Sequence, residues 1–207
     1  MKELKKKKVL VIVAHPDDET IWLGGTLIRN SLIKNNWDLT IISLCRKNDS
    51  DRAPKFKKTC EILKAKNFIS DLEDDELKPL PSSEIICRIK EFIKENKNYD
   101  LIFTHGENGE YGHIRHIETH NAVKEMLGKK IIFCKKLFFF DYKKVERKNA
   151  DTGFDVYVNK NADKLIKLNT FELLKKKQLI HEVYGFEKGG FEERTCRKWE
   201  SFTKIKK

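Results

Sequence analysis

The chain has 207 residues, of which 36% are charged and 39% hydrophobic, and its formal net charge is +11. That length suits one domain, expected over residues 1–207, with a full core and no need of disulfide staples. No apolar run approaches the roughly 18 residues that a membrane-spanning helix needs.

The lysines are spread along the chain, clustering only near the ends and at Lys175 to Lys177, and no RNA-binding aromatic signature or zinc finger accompanies them. Nucleic acid is therefore not expected as a partner, whereas an anionic substrate or a peripheral membrane contact fits the charge better. Cys45, Cys60, Cys87, Cys134 and Cys196 are odd in number and widely spaced, with no CxxC. They read as reduced thiols, mostly small core residues. The apolar stretch after Lys5 to Lys8 is too short for a signal-peptide core, so the expected location is cytoplasmic.

In chain order, strand-like and helix-like segments alternate. A first strand over 9–14 leads into a helix over 20–35, in which Ile21, Leu23, Leu27, Ile28 and Leu32 follow a helical period. A strand over 39–44 precedes a helix over 54–66, and the acidic stretch 71–76 reads as a solvated loop. A helix over 83–95 and a strand over 100–104 follow, then a Gly-rich loop over 105–112 and a helix over 116–127. Residues 130–140 hold one or two strands, 143–153 a polar, mobile loop, 154–158 a strand and 162–184 a helix. This alternation predicts an α/β fold, a Rossmann-like three-layer sandwich with a mostly parallel central sheet.

The first strand ends in Ala14-His15-Pro16-Asp17-Asp18-Glu19. Acids at a helix start can serve as caps, but capping does not account for the adjacent imidazole. The strand over 100–104 is followed by Gly112-His113-Ile114-Arg115-His116. Carboxyl ends of parallel strands share one edge, so the two loops can converge. One of the two later histidines can bind metal while the other faces a substrate. Catalytic zinc keeps three protein ligands and a position for water, which assigns His15, Asp18 and His116 as ligands. Asp17 is then free to act as general base. His120, one turn after His116, reads as structural, because a fourth ligand would close the site. His105 ends a strand at the same edge and is a candidate for the pocket lining.

At these residues, together with Gly24-Gly25-Thr26 and Gly109-Glu110-Tyr111-Gly112, the chain resembles the LmbE-like/PIG-L family of zinc-dependent de-N-acetylases. Trp199-Glu200-Ser201-Phe202 is similar to the tail of some members. The resemblance implies hydrolysis of the N-acetyl group of an amino sugar or glycoconjugate of the N-acetylglucosamine type, free or lipid-linked, with release of acetate. It implies one Zn2+ per chain on His15, Asp18 and His116, a site that would also accept Fe2+. It further implies Asp17 and His113 as catalytic residues, His113 helping to stabilise the oxyanion, and Arg52 as a sugar contact. Tyr111 and Trp22 are candidates to stack on a sugar ring. Many members carry Pro and Asp between the two histidines. Here Ile114 and Arg115 stand there, and a cation close to His113 would disfavour its protonated form. The alternatives are hydrolysis of another amide or imide, or a non-catalytic ligand-binding Rossmann-like module. The latter is disfavoured by the complete ligand set and the absence of a GxGxxG turn. A homo-oligomer is compatible with all of these readings.

Overall fold

A computed structural model describes residues 5–94 and 96–205. Strand β1 (Lys7–Val13) is apolar on both sides because it is the centre of the sheet, covered on both faces. It pairs in parallel with β2 (Trp37–Cys45) on one side and β4 (Asn98–Thr104) on the other. Strand β3 (Lys66–Leu72) extends the sheet beyond β2, and β5 (Phe133–Phe140) extends it beyond β4. Strand β9 (Trp199–Lys204) joins β5 in antiparallel fashion, and β8 (Lys164–Lys167) closes the order β3-β2-β1-β4-β5-β9-β8. Strands β6 (Tyr142–Glu146) and β7 (Phe154–Val158) form a separate ribbon.

Helices cover both faces, as the sequence pattern predicts. Val9, Val11 and Val13 pack with Trp22, Leu23 and Leu27 of α1 (Asp18–Leu27) and Phe56 of α2 (Arg52–Ile62). Leu10 and Ile12 pack with Ile85 and Ile89 of α3 (Ser82–Phe92) and with Val123 and Met126 of α5 (Ile114–Gly128). Between β4 and α5 lies the short turn α4 (Gly109–Gly112). Helix α1 runs on as a π-helical segment over Ile28–Ile33. No helix among the described residues is long and apolar enough to cross a membrane.

Three expectations are corrected. Residues 66–72 form a strand, one of mixed polarity at the sheet edge, with Lys66 and Asp71 exposed and Ile69, Ser70 and Leu72 buried. The polar segment expected as a loop over 143–153 begins as β6, whose exposed lysines sit on a ribbon paired through its backbone with β7. The helix expected over 162–184 starts only at α6 (Thr170–Gln178), after β8. Its start is marked by a capping box between Asn169 and Glu172.

Strand order runs outward from β1 in both directions, through β2 to one side and β4 to the other. The β1 and β4 loops therefore part at a topological switch point, the place where α/β sheets open a crevice.

Candidate active site and metal centre

The turn after β1 is strained. Asp17 has φ of +109°, a region L residues avoid, with a typical penalty of about 1–3 kcal/mol. The Asp17 N–H donates to Glu19 Oε2 at 3.1 Å, and the Asp17 carbonyl accepts from Thr20 and Ile21 N–H at 2.8 and 2.9 Å. Glu19 is wholly buried and also accepts from the Tyr184 and Thr20 hydroxyls. Burial pushes its carboxyl up to about 7, against the pull of those hydrogen bonds. Glu19 thus braces the turn from inside the core.

The turn aims Asp18 inward. Its Oδ1 accepts the Trp22 indole N–H at 2.8 Å, while Oδ2 lies 3.2 Å from His15 Nδ1 and 3.4 Å from His116 Nε2. His15 Nδ1 and His116 Nε2 are themselves 3.2 Å apart. Ligands at about 2.0–2.2 Å around a tetrahedral ion are separated by roughly 3.3–3.6 Å, so this triangle has the dimensions of one coordination face. The imidazoles are also oriented for it. His15 Nε2–H donates to Asp74 Oδ1 at 3.0 Å, and His116 Nδ1–H donates to Glu110 Oε2 at 2.6 Å. These partners fix the tautomers that leave Nδ1 of His15 and Nε2 of His116 as lone pairs in the triangle. Nothing in the donor set conflicts with a zinc or ferrous ion held by His15, Asp18 and His116.

His113 lies within ligand distance of His15 and His116 too, but its Nδ1 accepts the Arg115 N–H at 3.3 Å and caps α5. That bond leaves Nε2–H as a donor at the cavity. Burial above all lowers His113 to about 4 and keeps it neutral. Arg115, expected as a perturbing cation, turns away: its guanidinium is buried on Glu73, Glu118 and the Lys78 carbonyl. The neutrality of His113 therefore has another cause than Arg115.

His105 is not a pocket residue. It is fully buried, stacked on His116 at 3.9 Å between ring centroids. Its Nε2 accepts the Ala14 N–H at 2.9 Å and its Nδ1–H donates to Glu110, so no lone pair remains for a metal. His120 hydrogen-bonds the His105 carbonyl at 3.0 Å and packs on Phe139, behind the centre.

Asp17 stands beside the triangle and lines a cavity of about 400 Å³ with His15, Arg52, Tyr111 and His113. Its Oδ2 accepts from Arg52 Nη1 at 3.0 Å. Burial and the adjacent Asp18 charge raise the Asp17 carboxyl well above the usual range, with Arg52 and His15 opposing them. Arg52 also lies over the Phe186 ring at 4.3 Å. Tyr111 packs against Phe154 and edge-on to Phe191. Trp22 is buried with its N–H spent on Asp18, so it orients a carboxylate and has little ring face to offer a sugar.

The sequence offers Glu110 as a residue of the Gly-rich loop that shapes the substrate cleft and gives Asp74 no role of its own. Glu110, at φ of +59°, is buried and holds His105, His116 and the Gly106 N–H together. Asp74 belongs to the acidic stretch expected as a solvated loop, yet it is nearly buried between His15 and Arg46. The missed signal was β3: once 66–72 is a parallel strand, the acids after it fall on the same sheet edge as His15.

Residues 10–127, from β1 to the end of α5, match the family model PIG-L, described as GlcNAc-PI de-N-acetylase. The chain belongs to the PIG-L family. The PIG-L segment contains every residue of the triangle and the cavity residues Asp17, Arg52, Tyr111 and His113. Among curated relatives, the 1D-myo-inositol 2-acetamido-2-deoxy-alpha-D-glucopyranoside deacetylase of Corynebacterium diphtheriae is 28% identical over 156 residues, covering 58% of this chain and 52% of that protein. An uncharacterised protein of Acanthamoeba polyphaga mimivirus is 31% identical over 121 residues, 54% of each chain. The chain spans about half the length of these relatives. The fold is shared with N,N'-diacetylchitobiose deacetylase from Pyrococcus horikoshii (TM-score 0.70, 16% identity, 96% of this chain and 84% of that one). It is shared equally with the 4-carboxy-2-hydroxymuconate hydratase of Pseudomonas putida (TM-score 0.69, 13% identity, 97% of each chain).

Proposed function

We propose that this PIG-L protein is a metal-dependent amide hydrolase that removes the acetyl group from an N-acetylated amino sugar of the N-acetylglucosamine type, with residues 1–207 acting as one catalytic domain. The observation that carries the reading is the His15–Asp18–His116 triangle, sized for one ion, with the Asp17 carboxyl at its side in the same cavity. The Corynebacterium diphtheriae relative, named for an acetamido-glucopyranoside of inositol, supports the substrate class.

His15, Asp18 and His116 would hold the ion, with Zn2+ first and Fe2+ as the alternative. When bound, the metal supplies Lewis acidity, polarising the acyl oxygen and acidifying water. Asp17 takes the proton from the attacking water on its Oδ1, since Oδ2 is engaged by Arg52. A raised affinity for that proton suits a group that must carry it on to the departing amine nitrogen as the C–N bond breaks. Neutral His113 donates Nε2–H to the developing oxyanion. The products are acetate and the free amino sugar, with one water consumed. Arg52 and Tyr111 form the wall against which the sugar rests.

The test is acetate release from a panel of N-acetylglucosamine conjugates, including inositol-linked and lipid-linked acceptors, by protein stripped of metal and then restored with zinc or ferrous iron. Metal-dependent release that falls about 10²–10⁴-fold in Asp17→Ala, with metal still bound, supports the reading. Silence of metal-loaded protein across the panel would overturn the amino-sugar assignment. Failure to bind either ion would overturn the catalytic one.

A further inference from the structure

The opposite end of the parallel strands carries a second cavity, of about 270 Å³, to which the PIG-L site has no connection in its lining. It is framed by the first residue of β1, the π-helical extension of α1, the middle of β5 and the start of β8. Five cations converge there, Lys7, Arg29, Lys34, Lys136 and Lys164, and the lining contains no carboxylate. Arg29 is engaged by Glu172 at 2.6 and 2.7 Å. The four lysines make no ion pair with a carboxylate among the described residues, although many other cations of this chain do.

The floor is aromatic. Lys164 Nζ lies 5.3 Å from the centre of the Phe138 ring, and Trp37 borders the same space. Burial lowers the Lys164 pKa, and the nearby charges of Lys136, Lys7 and Arg29 lower it further. Like charges gathered over an apolar floor repel one another unless an anion sits among them. Their source is scattered in sequence, at residues 7, 29, 34, 136 and 164, so the fold itself assembles the cluster.

We infer that this cavity is a binding site for a phosphate-class polyanion, seated between Lys136 and Lys164 with its remaining atoms on Phe138 and Trp37. Neither the metal centre nor the hydrolysis proposed above enters the argument, so the two stand or fall separately.

Titration calorimetry of the full chain with inorganic tripolyphosphate tests it. Saturable one-to-one binding is expected, weakened about tenfold or more in Lys136→Gln/Lys164→Gln, the size of a lost charge-assisted contact. Lys136→Arg/Lys164→Arg should retain it. If the double variant fails to fold, Lys34→Gln, at an exposed position, reads the same site. A parallel arm measures sedimentation with phosphatidylcholine vesicles carrying phosphatidate. Lysine-dependent capture there assigns the site to a lipid headgroup, and tripolyphosphate binding without capture assigns it to a soluble anion. No binding in either arm overturns the proposal, leaving the lysine stems as mere cover for the aromatic floor. Binding lost in Arg52→Gln but kept in the double lysine variant also overturns it, because the anion would then occupy the metal cavity.

Discussion

Asp17 and Arg52 meet through a single contact of 3.0 Å, and that contact tempers the proposed base. The guanidinium favours the ionised carboxylate, opposing burial and the Asp18 charge. In Arg52→Gln the Asp17 pKa therefore rises, and more alkaline solution is needed to keep the base ionised. The acidic limb of kcat/KM should move to higher pH. A pH–rate profile with an unmoved limb would remove Asp17 from the base role. Asp74 and Glu110 act at one remove, through the imidazoles they hold. Asp74→Asn and Glu110→Gln should each weaken metal binding about 10–100-fold, measured by competition with a chelator. Unchanged affinity would mean that the histidines keep their orientation unaided.

At the scale of elements, α1 is fastened from behind by the last strand. Glu200 of β9 is fully buried, accepts from the Gly25 and Thr26 N–H groups and the Thr26 hydroxyl, and pairs with buried Lys176 of α6 at 2.8 Å. The close approach explains the small residues of Gly24-Gly25-Thr26. A Cβ at Gly25 would overlap Leu168, and one at Gly24 would press on Lys176 at 3.2 Å. The two halves of the ion pair are unequal. Without Lys176, Glu200 keeps three donors, whereas without Glu200 the buried ammonium has no carboxylate partner. Glu200→Ala should destabilise by about 3–5 kcal/mol and Lys176→Met by clearly less, by denaturant unfolding. Equal losses would show that the backbone donors contribute little.

For the whole molecule, stability should follow both metal and acid. An ion that binds only the folded state adds about 2.7 kcal/mol at a hundredfold excess over Kd, so zinc should raise Tm and a chelator should reverse the gain. Burial opposes ionisation of Glu110, but His105 and His116 overcome it and hold the carboxyl down to about 2. Glu193 is likewise held at about 2, by the Gly189 N–H and Lys177. Unfolded, both carboxyls return towards their ordinary 4.5 and bind protons first. Their contribution is thus complete above 4.5 and lost as pH falls towards 2. Thermal unfolding of the metal-free protein across that interval should show a steady decline in Tm, less steep in Glu193→Gln.

What the amino-acid order by itself determined is the part carried by local pattern. The apolar run of β1, the alternation of strands and helices, and two histidine-bearing loops after β1 and β4 are properties of neighbouring residues. They suffice for the α/β class and for bringing His15, Asp17, Asp18, His113 and His116 to one sheet edge, because parallel strands put all their carboxyl ends together. What only the tertiary structure decided is the pairing of buried polar groups. Asp74 on His15, Glu110 between His105 and His116, Arg52 on Asp17, Arg115 turned away from His113 and Glu200 under Gly25 join mostly distant segments. Polar groups taken out of water must find partners wherever the packed chain offers them. No periodicity in the sequence records which partner lies within reach once the helices have crossed the sheet.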